Sequence, residues 1–152
     1  MVFTVATSAT GVLMDSREKI EIWTDGGSRG NPGQAAIGVV LIKDNKVFKK
    51  HSECIGIATN NIAEYTAVKV ALELFKTILS EKEVTFYLDS ELVVKQLNGQ
   101  YRVKDQNLKV LHLRVRELIT DNSVRSTFVH VTRDKNKLAD ELLNNALDLR
   151  KS

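Results

Sequence analysis

Ile20, Ile22 and Thr24 alternate with Glu21, Trp23 and Asp25. That period of two predicts a strand with one covered face. The glycines and the single proline of residues 26–33 then punctuate the chain as a turn, which sets Asp25 at the strand's mouth. Residues 35–43 are a near-continuous apolar run and predict a buried strand. Asp44-Asn45 supplies a turn, and residues 47–55 predict a third strand whose Lys49, Lys50, His51 and Glu53 suit an exposed edge. These pieces form an antiparallel three-strand meander.

The period then changes. Residues 61–79 predict a helix with Ala63, Ala67, Val70, Ala71, Leu74 and Ile78 on one face. Residues 84–88 predict a short buried strand, and residues 90–97 a short helix closed by Asn98-Gly99. A helix over 108–119, a strand over 127–131 and a last helix over 137–149 complete the chain. The order β-β-β-α-β-α-α-β-α predicts an α/β fold whose mixed sheet is antiparallel first and parallel later, with helices packed on it.

Length and composition narrow the class. A chain of 152 residues is long enough for one domain with a proper core. No apolar run reaches the roughly 18 residues of a membrane span. Cys54 is the single cysteine, which excludes an internal disulfide and fits a reducing, cytoplasmic setting. No Cys/His cluster has zinc-site spacing. Residues 1–18 do not join the pattern, and they form an N-terminal extension of unknown role ahead of a domain over 19–152. No Lys or Arg precedes Arg17, which is a poor match to a signal peptide, and Met14 offers an alternative start. The protein is expected to be monomeric.

The formal net charge is only +3. Gathering four of the 19 acids into one site leaves 15 against 22 bases, a surplus of seven for the rest of the surface. A basic surface around an acidic spot suits a polyanion cut with the help of metal ions.

Four acids are candidates for that spot. Taken singly, each has a plain reading. Asp25 begins an Asp-Gly turn, and Glu64 three residues after Asn61 suits a capping box. Asp89 follows Phe86-Tyr87-Leu88 and precedes a helix, the place of an N-cap, and Asp140 beside Glu141 reads as a solvated acid. Glu64 nevertheless shares a stripe with Ala67, Val68 and Ala71, and Asp140 shares its side with Leu143 and Leu147. Two strand-end acids and two sheet-facing helix acids on one fold point to a common site.

The chain resembles a type 1 ribonuclease H from about residue 19 to 148. Thr24-Asp25-Gly26-Gly27-Ser28-Arg29-Gly30-Asn31-Pro32-Gly33 resembles the family's first motif, Thr59-Asn60-Asn61-Ile62-Ala63-Glu64 its second and Asp89-Ser90 its third. The stretch His130-Val131-Thr132-Arg133-Asp134-Lys135-Asn136-Lys137-Leu138-Ala139-Asp140 resembles the last. The resemblance implies a ribonuclease H-like fold with a five-stranded sheet and helices on both faces. It implies hydrolysis of the RNA strand of RNA–DNA hybrids to 5′-phosphate and 3′-hydroxyl ends. Asp25, Glu64, Asp89 and Asp140 match the family's carboxylate ligands for two Mg²⁺ ions, with Mn²⁺ able to substitute. Asn31, Asn60 and Asn61 match positions that contact the hybrid's minor groove, where an amide can read a 2′-hydroxyl. Gly26, Arg29 and Ser90 are further expected substrate contacts.

The sequence departs from the family twice. Arg133 stands where many bacterial members carry a flexible-loop histidine, and it is expected to steer phosphate or help product leave. After Gly99 there is no long basic insertion, and Lys95, Arg102, Lys104 and Lys109 are the cations nearest that place. Two other readings share the pattern: a non-catalytic nucleic-acid-binding domain, and the ribonuclease H module of a reverse transcriptase. All four acids being present speaks against a decayed site.

Overall fold

A computed structural model describes residues 18–151. The predicted extension lies outside the described residues except for Glu18, whose carboxylate pairs with Lys43 at 2.8 Å and Lys82 at 3.4 Å. Among the described residues no helix is long and apolar enough to cross a membrane.

The sheet has five strands in the order β3-β2-β1-β4-β5. They are β1 (Ile20–Arg29), β2 (Gly33–Lys43), β3 (Lys46–Ala58), β4 (Glu83–Leu88) and β5 (Arg125–His130). β1, β2 and β3 pair antiparallel, whereas β4 joins β1, and β5 joins β4, in parallel. The meander and the parallel extension are as the pattern predicts. Asp44 and Asn45 take φ of 50° and 70°, the left-handed pair a two-residue hairpin requires.

Several element ends shift by two or three residues, and two differences from the pattern are larger. The glycine-rich stretch is not the turn itself: β1 continues in register to Arg29, opposite Gln34, and the chain reverses at residues 30–32. Asp25 therefore sits within β1, opposite Gly38. Glycine is a weak strand former, but tertiary pairing overrides that preference here. The predicted long helix is two, α1 (Asn60–Leu74) and α2 (Lys76–Leu79), separated by Phe75 at φ −105°, ψ 24°. The buried side of α1 is Ala63, Ala67, Val68, Ala71 and Leu72, while Leu74 stays 50% exposed. The real stripe runs beside the predicted one, because adjacent i, i+3, i+4 rows are both apolar in this helix.

α3 (Glu91–Leu97), α4 (Gln106–Asp121) and α5 (Lys137–Lys151) complete the layers. The larger core unites Ile22, Val39, Leu41, Phe86 and Phe128 of the sheet with Tyr65, Val68 and Leu72 of α1 and Val115 of α4. On the opposite face α5 covers Ala36 with Leu143 and Leu147.

Both layers press hardest at one point. A Cβ on Gly26 would fall 2.2 Å from the backbone carbonyl of Ala63 in α1, and one on Gly38 would fall 2.1 Å from the carbonyl oxygen of Ala139 in α5. Only glycine allows such approach. The next residues along those helices are Glu64 and Asp140, so the two glycines bring a carboxylate from each face towards Asp25.

Candidate active site

The site forms where the sheet parts. Pairing between β1 and β4 ends at Trp23 and Tyr87, but β1 runs six residues further. Its edge beyond Trp23 thus loses its backbone partners, and buried backbone groups must find others. Side chains supply them. Asn136 Nδ2 donates to the Thr24 carbonyl at 2.8 Å, Glu64 Oε1 accepts from the Gly26 N–H at 3.3 Å, and Asn60 Oδ1 accepts from the Ser28 N–H at 2.9 Å.

An open cleft of about 660 Å³ lies over this gap, walled by Asp25, Glu64, Asp89, Asp140 and Arg133 among others. Asp25 is 5% exposed and Glu64 7%. Neither helix cap is made by an acid of the cleft. Thr59 Oγ1 caps α1 through the Ile62 N–H at 3.1 Å, and Ser90 Oγ caps α3 through the Val93 N–H at 3.3 Å. Glu64 and Asp89 are thereby released from the capping roles their positions suggest.

Asp25, Glu64 and Asp89 can each place an oxygen within 4.8 Å of the others. Asp140 stands outside that set but lines the same cleft, and its charge acts on Asp25. Burial, then the charges of Asp89 and Asp140, push the Asp25 carboxyl up to about 8, against a smaller downward pull from Arg133. Burial and the neighbouring Asp25 and Asp89 raise Glu64 well above the ordinary range.

Among the described residues, no Lys, Arg or His forms an ion pair with any of these four acids. Buried carboxylates are normally paired with a cation or bound to a metal. An all-oxygen donor set with unbalanced negative charge fits hard divalent cations.

The other predicted residues are dispersed around the cleft. Asn60, Asn61, Ser90, Gly26 and Arg29 line it, whereas Asn31 lies beyond its wall, with Oδ1 accepting from the Asn60 N–H at 3.0 Å. Asn60 Oδ1 also accepts from Ser28 Oγ at 3.1 Å, so the oxygen of this amide holds the end of β1, while its Nδ2 makes no hydrogen bond among the described residues. Gly26 serves the approach of α1. The Arg29 guanidinium reaches Asp148 at 2.8 Å. Arg133 lies in a 3₁₀ turn, Arg133–Lys135, and is exposed.

Two further residues matter. Asn136 is 1% exposed and also approaches Asp89 Oδ2 at 3.5 Å, tying the turn after β5 to both β1 and β4. Asn144 donates to Asp140 Oδ1 at 3.2 Å. Asn136 stands inside the last motif, but nothing in the sequence sets it apart from a loop asparagine. Asn144 follows Asp140 at i+4, a spacing that puts both on one side of a helix and was the available signal.

The family model described as "Reverse transcriptase-like" matches residues 23–146. The chain is 40% identical over 144 residues to ribonuclease HI of Halobacterium salinarum, covering 93% of this chain and 71% of that protein. It is 37% identical to a bifunctional protein of Mycobacterium tuberculosis, spanning 86% of this chain but only 36% of that longer protein. Among solved structures it is similar to LC11 ribonuclease H1, isolated from compost by a metagenomic approach and crystallised with an RNA/DNA hybrid. The TM-score is 0.85 at 41% identity, covering 88% of this chain and all of that one.

Proposed function

The chain belongs to the type 1 ribonuclease H family, and on that premise we propose that it is a metal-dependent endonuclease acting on RNA–DNA hybrids. It hydrolyses the RNA strand and leaves 5′-phosphate and 3′-hydroxyl ends. The observation that carries this reading is the nest of carboxylates at the parting of β1 and β4, none of them in an ion pair among the described residues. Asp25, Glu64, Asp89 and Asp140 are the residues to hold two divalent ions. Mg²⁺ is the proposed ion because every donor is a hard oxygen, and Mn²⁺ can substitute. The chemistry a pair of such ions supplies is acidification of an attacking water and stabilisation of charge on the leaving oxygen.

The chain's own residues do the rest. Asn60 and Asn61 line the cleft, and their amides are the groups proposed to meet a minor groove and its 2′-hydroxyls. Asn31 braces Asn60 from behind. Arg133 adds a permanent positive charge at the cleft, where it draws in the scissile phosphate or eases product release. A monomer working in the cytoplasm belongs to the same reading. Cys54 is a free thiol, and exposed Lys46, Lys49 and Lys50 on edge strand β3 oppose pairing with a second copy.

The test is cleavage of labelled hybrid, duplex RNA and duplex DNA by the purified protein with Mg²⁺, Mn²⁺ or EDTA. Selective, EDTA-sensitive cutting of the RNA strand of the hybrid is expected. An inert hybrid, or cutting that survives EDTA, overturns the reading.

Two variants probe its parts. Asn61→Ala removes an amide that makes no hydrogen bond among the described residues, so KM for the hybrid should rise up to about tenfold, the worth of one or two hydrogen bonds, at unchanged stability. A wild-type KM would remove Asn61 from the interface. Arg133→Ala should lower kcat about tenfold without moving its pH profile, since the proposed role of Arg133 is to steer phosphate and not to carry a proton. Full turnover would make Arg133 a bystander.

A further inference from the structure

Asp140, Asn144 and Asp148 lie at i, i+4 and i+8 on α5 and so share one stripe of that helix. Arg29, the last residue of β1, reaches across to it. Its Nη2 sits 2.8 Å from Asp148 Oδ1, 3.3 Å from Asn144 Oδ1 and 3.4 Å from the Asn144 carbonyl. On the other side of the same amide, Asn144 Nδ2 donates to Asp140 Oδ1 at 3.2 Å and to the Asp140 carbonyl at 2.9 Å.

We infer that Asn144 is a positioning residue for Asp140, and that Arg29 acts through Asn144 rather than on the hybrid. The reason lies in the polarity of the amide. An asparagine side chain has an acceptor end and a donor end, and either can point either way. Here the guanidinium fixes the choice. A flipped amide would set its N–H groups against a cation and its oxygen against a carboxylate, both repulsive. With Oδ1 held by Arg29, Nδ2 must face Asp140. The cation also polarises the amide and strengthens its donor.

The consequence falls on Asp140, the one acid of the four outside the tight cluster. One of its oxygens is engaged by Asn144, which holds the carboxylate in a single orientation and leaves the other oxygen for the site. Partners of this kind orient ligands before a metal arrives. The inference rests on the metal-site reading of Asp140 given above. It reassigns Arg29, which the motif alone would make a substrate contact.

The experiment is a double-mutant cycle on the full chain with two readouts. One is Mn²⁺ binding by calorimetry without substrate; the other is kcat and KM on one hybrid. Asn144→Leu, close in size and unable to bond, should weaken Mn²⁺ binding about tenfold and leave KM for the hybrid unchanged. Arg29→Ala should weaken Mn²⁺ binding severalfold in the wild-type background and add nothing once Asn144 is gone. Arg29→Lys, which returns a cation to Asn144 Oδ1, should recover most of the loss. A purely structural role for the stripe would lower Tm in these variants while Mn²⁺ affinity stayed put, and that result overturns the inference. So does an Arg29→Ala effect on KM that persists in the Asn144→Leu background, which would return Arg29 to the hybrid. Failure of the wild type itself to bind Mn²⁺ is a different result: it overturns the metal-site reading and, with it, this one.

Discussion

Asp25→Asn is expected to lower hybrid cleavage at least about a thousandfold, since it removes several kcal/mol of metal-mediated stabilisation at the reacting phosphate. In the absence of metal the same change is expected to stabilise the fold. Folding takes the Asp25 carboxyl from an ordinary carboxylate value up to about 8, chiefly by burial and then by the charges of Asp89 and Asp140. A group raised in this way favours the folded state fully below its unfolded value, and the benefit is lost as pH climbs through its folded value. Metal-free wild type should therefore lose stability between about pH 4 and pH 8, and Glu64, raised for the same reasons, adds to the slope. The asparagine variant lacks the Asp25 share. Its advantage in Tm over wild type should be small at pH 5 and reach roughly 5 °C or more at pH 8, which corresponds to a difference of ~2 kcal/mol. Because the comparison is a difference between two proteins, groups such as Glu18, whose carboxyl Lys43 holds down, cancel from it. Added Mg²⁺ should restore the wild type at pH 8 and do much less for the variant. Thermal melts of both proteins at the two pH values, with EDTA or Mg²⁺, decide the matter. A wild type whose Tm ignores both pH and Mg²⁺ would show that the four acids do not form a metal nest.

How much of this site could be read from the chain depends on the kind of interaction. The alternation in residues 20–25 and the apolar run in 35–43 report which face is covered, and the strands stand where they predict. The end of β1 could not be read this way. Gly26 to Arg29 carry turn-forming residues, yet pairing with β2 keeps them extended, and their outer edge is completed by Glu64 and Asn60, more than thirty residues away. The break at Phe75 is likewise a tertiary effect, placed where a ring enters the core. Glu64 and Asp89 were legible as acids in motif positions, but their capping alternatives could be discarded only once Thr59 and Ser90 were seen to make the caps. Asn136 and Asn144 left little trace, because an asparagine that orders a neighbour has the same letter as one that faces water. The resemblance supplied the four carboxylates as a set, and the packing supplies the reason they converge.

That reason leads to the prediction with the largest structural effect. Gly26→Ala should dismantle the site without altering any carboxylate. The added Cβ would lie 2.2 Å from Ala63 carbonyl atoms and 2.5 Å from the Glu64 nitrogen, all of them helix backbone that no side-chain rotation can clear. α1 must retreat from β1, taking Glu64 away from the Gly26 N–H and from Asp25. Overpacking against rigid backbone is expected to cost about 3 kcal/mol or more, a fall in Tm of roughly 6–12 °C. A displacement of about 1 Å at a catalytic group can cost around a hundredfold in rate, so cleavage should fall at least that far even where the variant remains folded. The neighbouring substitution is the control. A Cβ on Gly27 would meet only Leu143 Cδ1 at 3.7 Å and Asn60 Oδ1 at 3.9 Å, ordinary contacts, so Gly27→Ala should keep its Tm within a few degrees. Two adjacent glycines in one strand thus carry opposite expectations, set by which face each turns to a helix. Equal melting temperatures for the two variants would mean that α1 is not held against Gly26, and the account of how Glu64 is brought to Asp25 would have to be abandoned.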